Sequence, residues 1–313
     1  MFSHVAVPTI SVYLVITLIG WFGNINIVIA TVRNRNLRNP CNLLIAMRSI
    51  CDVVSRAANL VTAYFIYTGE YFTPLHNCMR LQFVPNVFMQ FSIFHSLVIG
   101  IDRVFGVSCT SRYKEMRKTT YVIGMMIPGA MFSALQLTVA YYSAVGSNIR
   151  VTCTIVAIYT NNSLVIVVAS HGILNIMAVL VYTVMWILVR KQGSALTMAT
   201  IVKTLMLIVT FDVFAWLMTV VAFSTTMIFR LEMPTLFYVS LISSVFVNIG
   251  SASNFFLLYW ICADYRHAFR RQLRLILPGV KKIHVTSQNG VGTIASTRAL
   301  RALNQSPCNG CLG

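Results

Sequence analysis

Long charge-free stretches alternate with short basic ones along this chain. Residues 5–32, 81–101, 119–149, 151–189 and 233–263 contain no Lys, Arg, Asp or Glu, and 204–229 contains only Asp212. A helix crosses about 30 Å of hydrocarbon with about 20 apolar residues, so these stretches predict six membrane-spanning helices. Residues 40–67 are apolar apart from Arg48, Asp52 and Arg56, and the short linkers on either side leave few other routes for the chain. They predict a seventh span, although a charge at mid-membrane costs about 2.5–3.5 kcal/mol on insertion scales. Spaced four apart, the three charges allow Asp52 to pair with either arginine along one helix face. The expected fold class is an all-α membrane protein, a seven-transmembrane helix bundle.

Composition points the same way. The chain is 57% hydrophobic and 10% charged, against roughly 25% charged in an ordinary soluble domain. Its 24 Lys and Arg against 7 Asp and Glu would suggest nucleic acid in a soluble protein, but their positions give another reason. Linkers of one parity hold Arg33, Arg35, Arg38, Arg103, Arg112, Lys114, Arg117, Lys118, Arg190, Lys191 and Lys203, and eight more follow the seventh span. That makes nineteen, against Arg80, Arg150 and Arg230 on the opposite face. By the positive-inside rule the C-terminus lies in the cytoplasm and the N-terminus outside, as a multi-pass protein of the cell membrane. Lipid is then the expected partner of the basic face, and no nucleic-acid partner is needed.

The expected organisation is a short extracellular N-terminus (1–7), a seven-transmembrane domain (8–277) and a polar tail (278–313), rich in Gly, Ser and Asn and expected to be disordered. No internal repeat suggests the paired halves common among transporters. MFSHVAVP lacks a basic segment and a cleavage site ahead of the first span, so a cleaved signal peptide is not expected. The eight cysteines form no paired CxxC set, and no His cluster has metal-ligand spacing. No metal site is expected.

Residues at fixed offsets narrow the class. The first span carries Gly23-Asn24, and the second runs from Asn42-Leu43-Leu44 to Asp52. The third opens at Cys78 and closes on Asp102-Arg103, the arginine twenty-five residues after the cysteine. Behind the seventh come Tyr259 and Asp264-Tyr265-Arg266-His267-Ala268-Phe269. In this order, these elements resemble the rhodopsin-like G-protein-coupled receptors. The phrases LRNPCNLLIA, IGIDR and YRHAFRRQ look like the nematode Srsx-type serpentine chemoreceptors, a resemblance covering most of the chain. It implies a short amphipathic cytoplasmic helix after the seventh span, a heterotrimeric G protein as partner, no cofactor and no enzymatic activity. No nucleophile elbow, P-loop or zinc-binding His pair is present either.

The chain also departs from the family pattern. Val104 stands where a tyrosine is usual, the fourth span lacks its tryptophan, and the fifth and sixth lack their prolines. Asn254-Phe255 replaces Asn-Pro, and Arg48 and Arg56 flank the acid that binds sodium in many relatives.

The resemblance implies that Asp102 holds Arg103 at rest and releases it to the G protein, the plainer alternative being a helix-end ion pair. Asn24, Asp52, Asn248, Asn254 and Tyr259 are expected to form an activation relay, or simply polar glue between helices. Cys78 and Cys153 are the two cysteines predicted on the outer, oxidising side, where a disulfide is expected. Pro85, Met89, Asp212 and Trp216 are candidates for a ligand pocket, Asp212 and Trp216 sharing a face at i, i+4. Asp212 has the alternative of pairing with Lys203 or a hydroxyl. Gln90, His95 and Gln136 read as hydrogen-bonded core residues. Asn161-Asn162-Ser163 is a glycosylation sequon, and Cys308 and Cys311 are candidates for acylation.

With about seven residues ahead of the first span, the ligand is expected inside the bundle, as a small molecule or short peptide. Pro85 stands where amine receptors carry an aspartate, which disfavours a biogenic amine. The absence of lysine from 233–263 excludes a retinal Schiff base. The expected function is chemosensory reception. A neuropeptide receptor of the same fold stays open, as does, from another class, a transporter or channel using Arg48, Asp52, Arg56 and Asp212 as an ion path.

Overall fold

A computed structural model describes residues 3–160, 162–191, 196–229 and 233–276. In chain order the helices are α1 (Ser3–Arg33), α2 (Pro40–Ser55), α3 (Ala58–Thr68), α4 (Leu75–Ser108), α5 (Thr110–Glu115), α6 (Lys118–Ala144), α7 (Asn162–Lys191), α8 (Leu196–Ile228), α9 (Met233–Ile261) and α10 (Ala263–Ile276). A minimal strand pair, β1 (Thr73–Pro74) with β2 (Arg150–Val151), runs antiparallel. Six helices, α1, α4, α6, α7, α8 and α9, are long and apolar enough to cross a membrane. The tail 278–313 with Cys308 and Cys311, the sequon residue Asn161, and the side chain of Lys203 lie outside the described residues.

The seventh span is α2 and α3 together. Pro40 opens α2 at a position where its missing N–H leaves no bond unmade, and the Asn39 side chain accepts from the Asn42 N–H at 2.8 Å, a standard helix cap. At Arg56 and Ala57 the helix tightens instead of ending. The N–H groups of Ala57, Asn59 and Leu60 each reach the carbonyl three residues back, and Arg56 and Ala57 keep right-handed helical angles. Such a 3₁₀ turn holds about 3.0 residues instead of about 3.6, so α3 is rotated in phase relative to α2. It stops at Gly69, whose φ of 78° is the left-handed conformation that closes many helices.

The helices form a closed ring around α4. α1 packs against α2, α3 and α9, α9 against α8, α8 against α7, and α4 against α2, α3, α6 and α7. Small residues set two of these approaches, as membrane helices without a hydrophobic drive between them require. A Cβ at Gly100 would lie 2.7 Å from the Tyr182 ring, and one at Gly23 would lie 2.7 Å from Cβ of Phe255. Outward faces carry exposed Leu18, Met131, Leu135 and Ile173, the all-round apolar character of a membrane span.

At one end, α10 is amphipathic. Tyr265, Ala268 and Phe269 are buried in one cluster with Ile27, Ala30 and Phe255, while Arg270 and Arg271 face outward. At the other end a disulfide joins Cys78 to Cys153, with their Cα atoms 5.3 Å apart. It pins the 145–160 segment onto α4 beside the strand pair.

Candidate functional site

Arg48, Asp52 and Arg56 project from α2 and its tight turn into a cavity of about 80 Å³, whose lining also includes Met89, Asp212 and Trp216. All four charged groups are buried. A charge in such a place needs a partner or a hydrogen-bond network, and the partners found come from other helices. Arg48 forms an ion pair with Asp212 on α8. Arg56 donates to the Asn248 side-chain oxygen on α9, which also accepts from Asn59 at 3.1 Å. Asp52 accepts from Ser92 on α4 at 2.5 Å and from Ser251 on α9 at 2.9 Å.

This corrects one expectation and bears on another. Asp52 is hydrogen-bonded to hydroxyls of α4 and α9, and neither arginine of its own helix lies within 4.0 Å as an ion-pair partner. Helical i, i+4 neighbours lie side by side on one surface, whereas here they fan toward three different helices. Asp212, in turn, pairs with Arg48, a partner outside the two alternatives weighed for it, Lys203 and a hydroxyl; the Lys203 side chain lies outside the described residues.

The other candidates divide between the cavity and its surroundings. Met89, Asp212 and Trp216 line the cavity, and Pro85, buried in α4, does not. Of the expected relay, Asp52 and Asn248 belong to the cluster. Asn24 donates to the Gly20 carbonyl within its own helix at 3.0 Å. Asn254 is buried and, with Arg48, lines a separate small pocket. Tyr259 lies outside the cluster, stacked on Phe255 at 6.3 Å between ring centroids and accepting from Arg270 at 3.4 Å.

At the far end of α4, Arg103 donates to the Asp102 carboxylate through Nε at 2.8 Å and a terminal nitrogen at 2.5 Å. That terminal nitrogen also donates to the Tyr113 hydroxyl at 2.8 Å, and Tyr113 donates to the other Asp102 oxygen at 3.1 Å. Tyr113 sits on the short linker helix α5. Burial pushes its phenol above the ordinary range, with the adjacent Arg103 guanidinium pulling the other way. No motif or hydrophobic period in the sequence singles out this residue. The signal available was one aromatic in the otherwise polar run TSRYKE.

A third arrangement ties the disulfide-linked segment into the bundle. Tyr159 donates to Asn86 at 2.6 Å and accepts from Gln90 at 2.8 Å. The Gln90 oxygen meets His171 Nε2 at 2.7 Å, and the His171 ring packs edge-on to Trp216 with centroids 5.3 Å apart. Gln90 and Gln136 are thus hydrogen-bonded as expected, Gln136 to Ser170 at 2.7 Å. His95 differs, with both ring nitrogens buried and without a hydrogen-bond partner and its ring stacked on Phe91.

Residues 17–273 match the family described as "Serpentine type 7TM GPCR chemoreceptor Srsx". The chain belongs to that family. The matched stretch takes in the second half of α1, all the later spans and all thirteen candidate residues from Asn24 to Tyr259. Two curated receptors are also similar. Melatonin receptor type 1B of Rattus norvegicus is 24% identical over 202 residues, 59% of this chain and 53% of that receptor. Adenosine receptor A2a of Canis lupus familiaris is 29% identical over 117 residues, 37% of this chain and 28% of that receptor. The chain therefore spans about half the length of the first and under a third of the second. Srsx proteins are multi-pass membrane receptors by family description and not enzymes.

Proposed function

We propose that this Srsx member is a chemosensory G-protein-coupled receptor. It binds a small extracellular ligand within the helix bundle and activates a heterotrimeric G protein at the Asp102–Arg103 end. The observation that carries this reading is the restraint on Arg103, held between Asp102 and Tyr113 where α4 ends. A ligand that separates the helices shifts the population toward the form with Arg103 released. The nineteen-to-three distribution of basic residues supports a cytoplasmic Arg103 end and C-terminus and an extracellular N-terminus, with residues 1–7 outside, 8–277 as the receptor domain and 278–313 as a cytoplasmic tail. A disulfide at the opposite end fits the oxidising side. In this scheme Asp52 and Asn248 form the centre of the activation relay, with Asn24, Asn254 and Tyr259 at its margins. The cavity of about 80 Å³ favours a small molecule over a short peptide.

The test is a screen of volatile and water-soluble compounds and short peptides on expressed receptor, read by calcium or cyclic nucleotide. Arg103→Ala is expected to abolish the response with surface delivery intact. Substrate flux through purified protein in liposomes, with no nucleotide exchange on any G protein, would overturn the reading.

A further inference from the structure

The central cavity has more hydrogen-bond donors than acceptors. Each guanidinium offers five N–H groups and no acceptor. Both Nε atoms, of Arg48 and Arg56, are buried with no hydrogen-bond partner, and the two side chains are over nine-tenths buried. Both Asp52 oxygens are engaged by hydroxyls, and one Asp212 oxygen by Arg48. Arg56 has the neutral Asn248 oxygen as its acceptor and, among the described residues, no carboxylate within 4.0 Å. The formal charges of the four groups cancel, but the hydrogen bonding does not. An unmade bond on a buried charged donor is costly.

We infer that the cavity is a binding site for a compact monoanion, a carboxylate or a halide, held by Arg56 against the Asn248 face of α9. The planar fork of an arginine suits a carboxylate in particular, and about 80 Å³ holds a group the size of acetate. Two sources supply this chemistry: the acidic head of the receptor's ligand, or a free inorganic anion resident in the bundle. The first source rests on the receptor function proposed above, but occupancy of the site does not, so its test needs no G protein.

The experiment is thermal unfolding of the purified full chain in nanodiscs, buffered with a bulky sulfonate and titrated separately with chloride, formate and acetate. Saturable stabilisation is expected, roughly 5 °C at a hundredfold excess over Kd, and its loss in Arg56→Gln. Met89→Trp fills the cavity with the arginines in place, and it too should abolish the anion response while still unfolding cooperatively. Formate and acetate acting at tenfold lower concentration than chloride identify the ligand's acidic head as the occupant. Chloride acting as well or better identifies a resident halide. No saturable response in the unaltered protein, or one that survives in both variants, overturns the inference. A positive anion response alongside absent nucleotide exchange would leave the site standing and remove the receptor function.

Discussion

Arg48 of α2 forms an ion pair with Asp212 of α8, 164 positions away in sequence. Deleting one partner strands a buried charge at a cost of about 3–5 kcal/mol, whereas replacing both with apolar groups is often near neutral. Arg48→Met and Asp212→Leu are each expected to lower the melting temperature and surface yield of the receptor, and the double variant to recover most of the loss. Melting curves for the four proteins of the cycle check this. A double variant as damaged as the sum of the singles would show that the two side chains act independently.

Tyr113 restrains Arg103 through its hydroxyl, and its ring centroid lies 5.8 Å from the guanidinium carbon. Tyr113→Phe removes both hydroxyl bonds, and a hydrogen bond to a charged group contributes about 1.5–3 kcal/mol. Ligand-independent nucleotide exchange on the partner G protein is expected to rise by up to about tenfold, and Arg103→Ala in the same chain to silence it. Unchanged basal exchange in Tyr113→Phe would remove Tyr113 from the resting restraint.

The disulfide and Tyr159 hold one segment by separate means. A crosslink over 75 residues contributes up to about 4 kcal/mol by loop entropy, and the Tyr159 hydroxyl, which bonds both Asn86 and Gln90, about 1–3 kcal/mol. Cys153→Ser is expected to cut surface delivery sharply. Tyr159→Phe should deliver normally yet raise hydrogen exchange in 152–160. Exchange that stays at the native level in Tyr159→Phe would show the disulfide to be sufficient.

Two glycines in helices should respond oppositely to one methyl group. Gly100→Ala drives a Cβ into Tyr182 and Val181 and should cost about 1–3 kcal/mol by overpacking. Gly124→Ala meets nothing within 4 Å and should be neutral or stabilising by up to about 1 kcal/mol. Melting temperatures of the pair decide it.

Most of the fold was legible because lipid imposes one simple demand, about 20 apolar residues per crossing. Six spans met it outright, and 40–67 was recognisable despite its charges. Cys78 and Cys153 could be paired because topology left no competitors on their side. The partners of Arg48 and Arg56 were not legible. Sequence spacing fixes which residues share a helix face, but the tight turn at Arg56 and Ala57 rotates that face, and only packing shows which neighbour it meets. Spacing allows Asp52 a bond along its own helix, whereas it bonds to hydroxyls of two others. Tyr113 and Tyr159 were missed for a related reason: both lie between spans, where no hydrophobic period reports burial.

The ion pair between α2 and α8 also orders events during synthesis. The second span carries Arg48 into the bilayer long before Asp212 exists, and at 5–20 residues per second the wait is about ten to thirty seconds. Until then the second span carries two arginines, Arg48 and Arg56, against the one carboxylate of Asp52. Through that interval the second span bears the cost of a mid-membrane charge, about 2.5–3.5 kcal/mol on insertion scales, and the arrival of the sixth span offsets it.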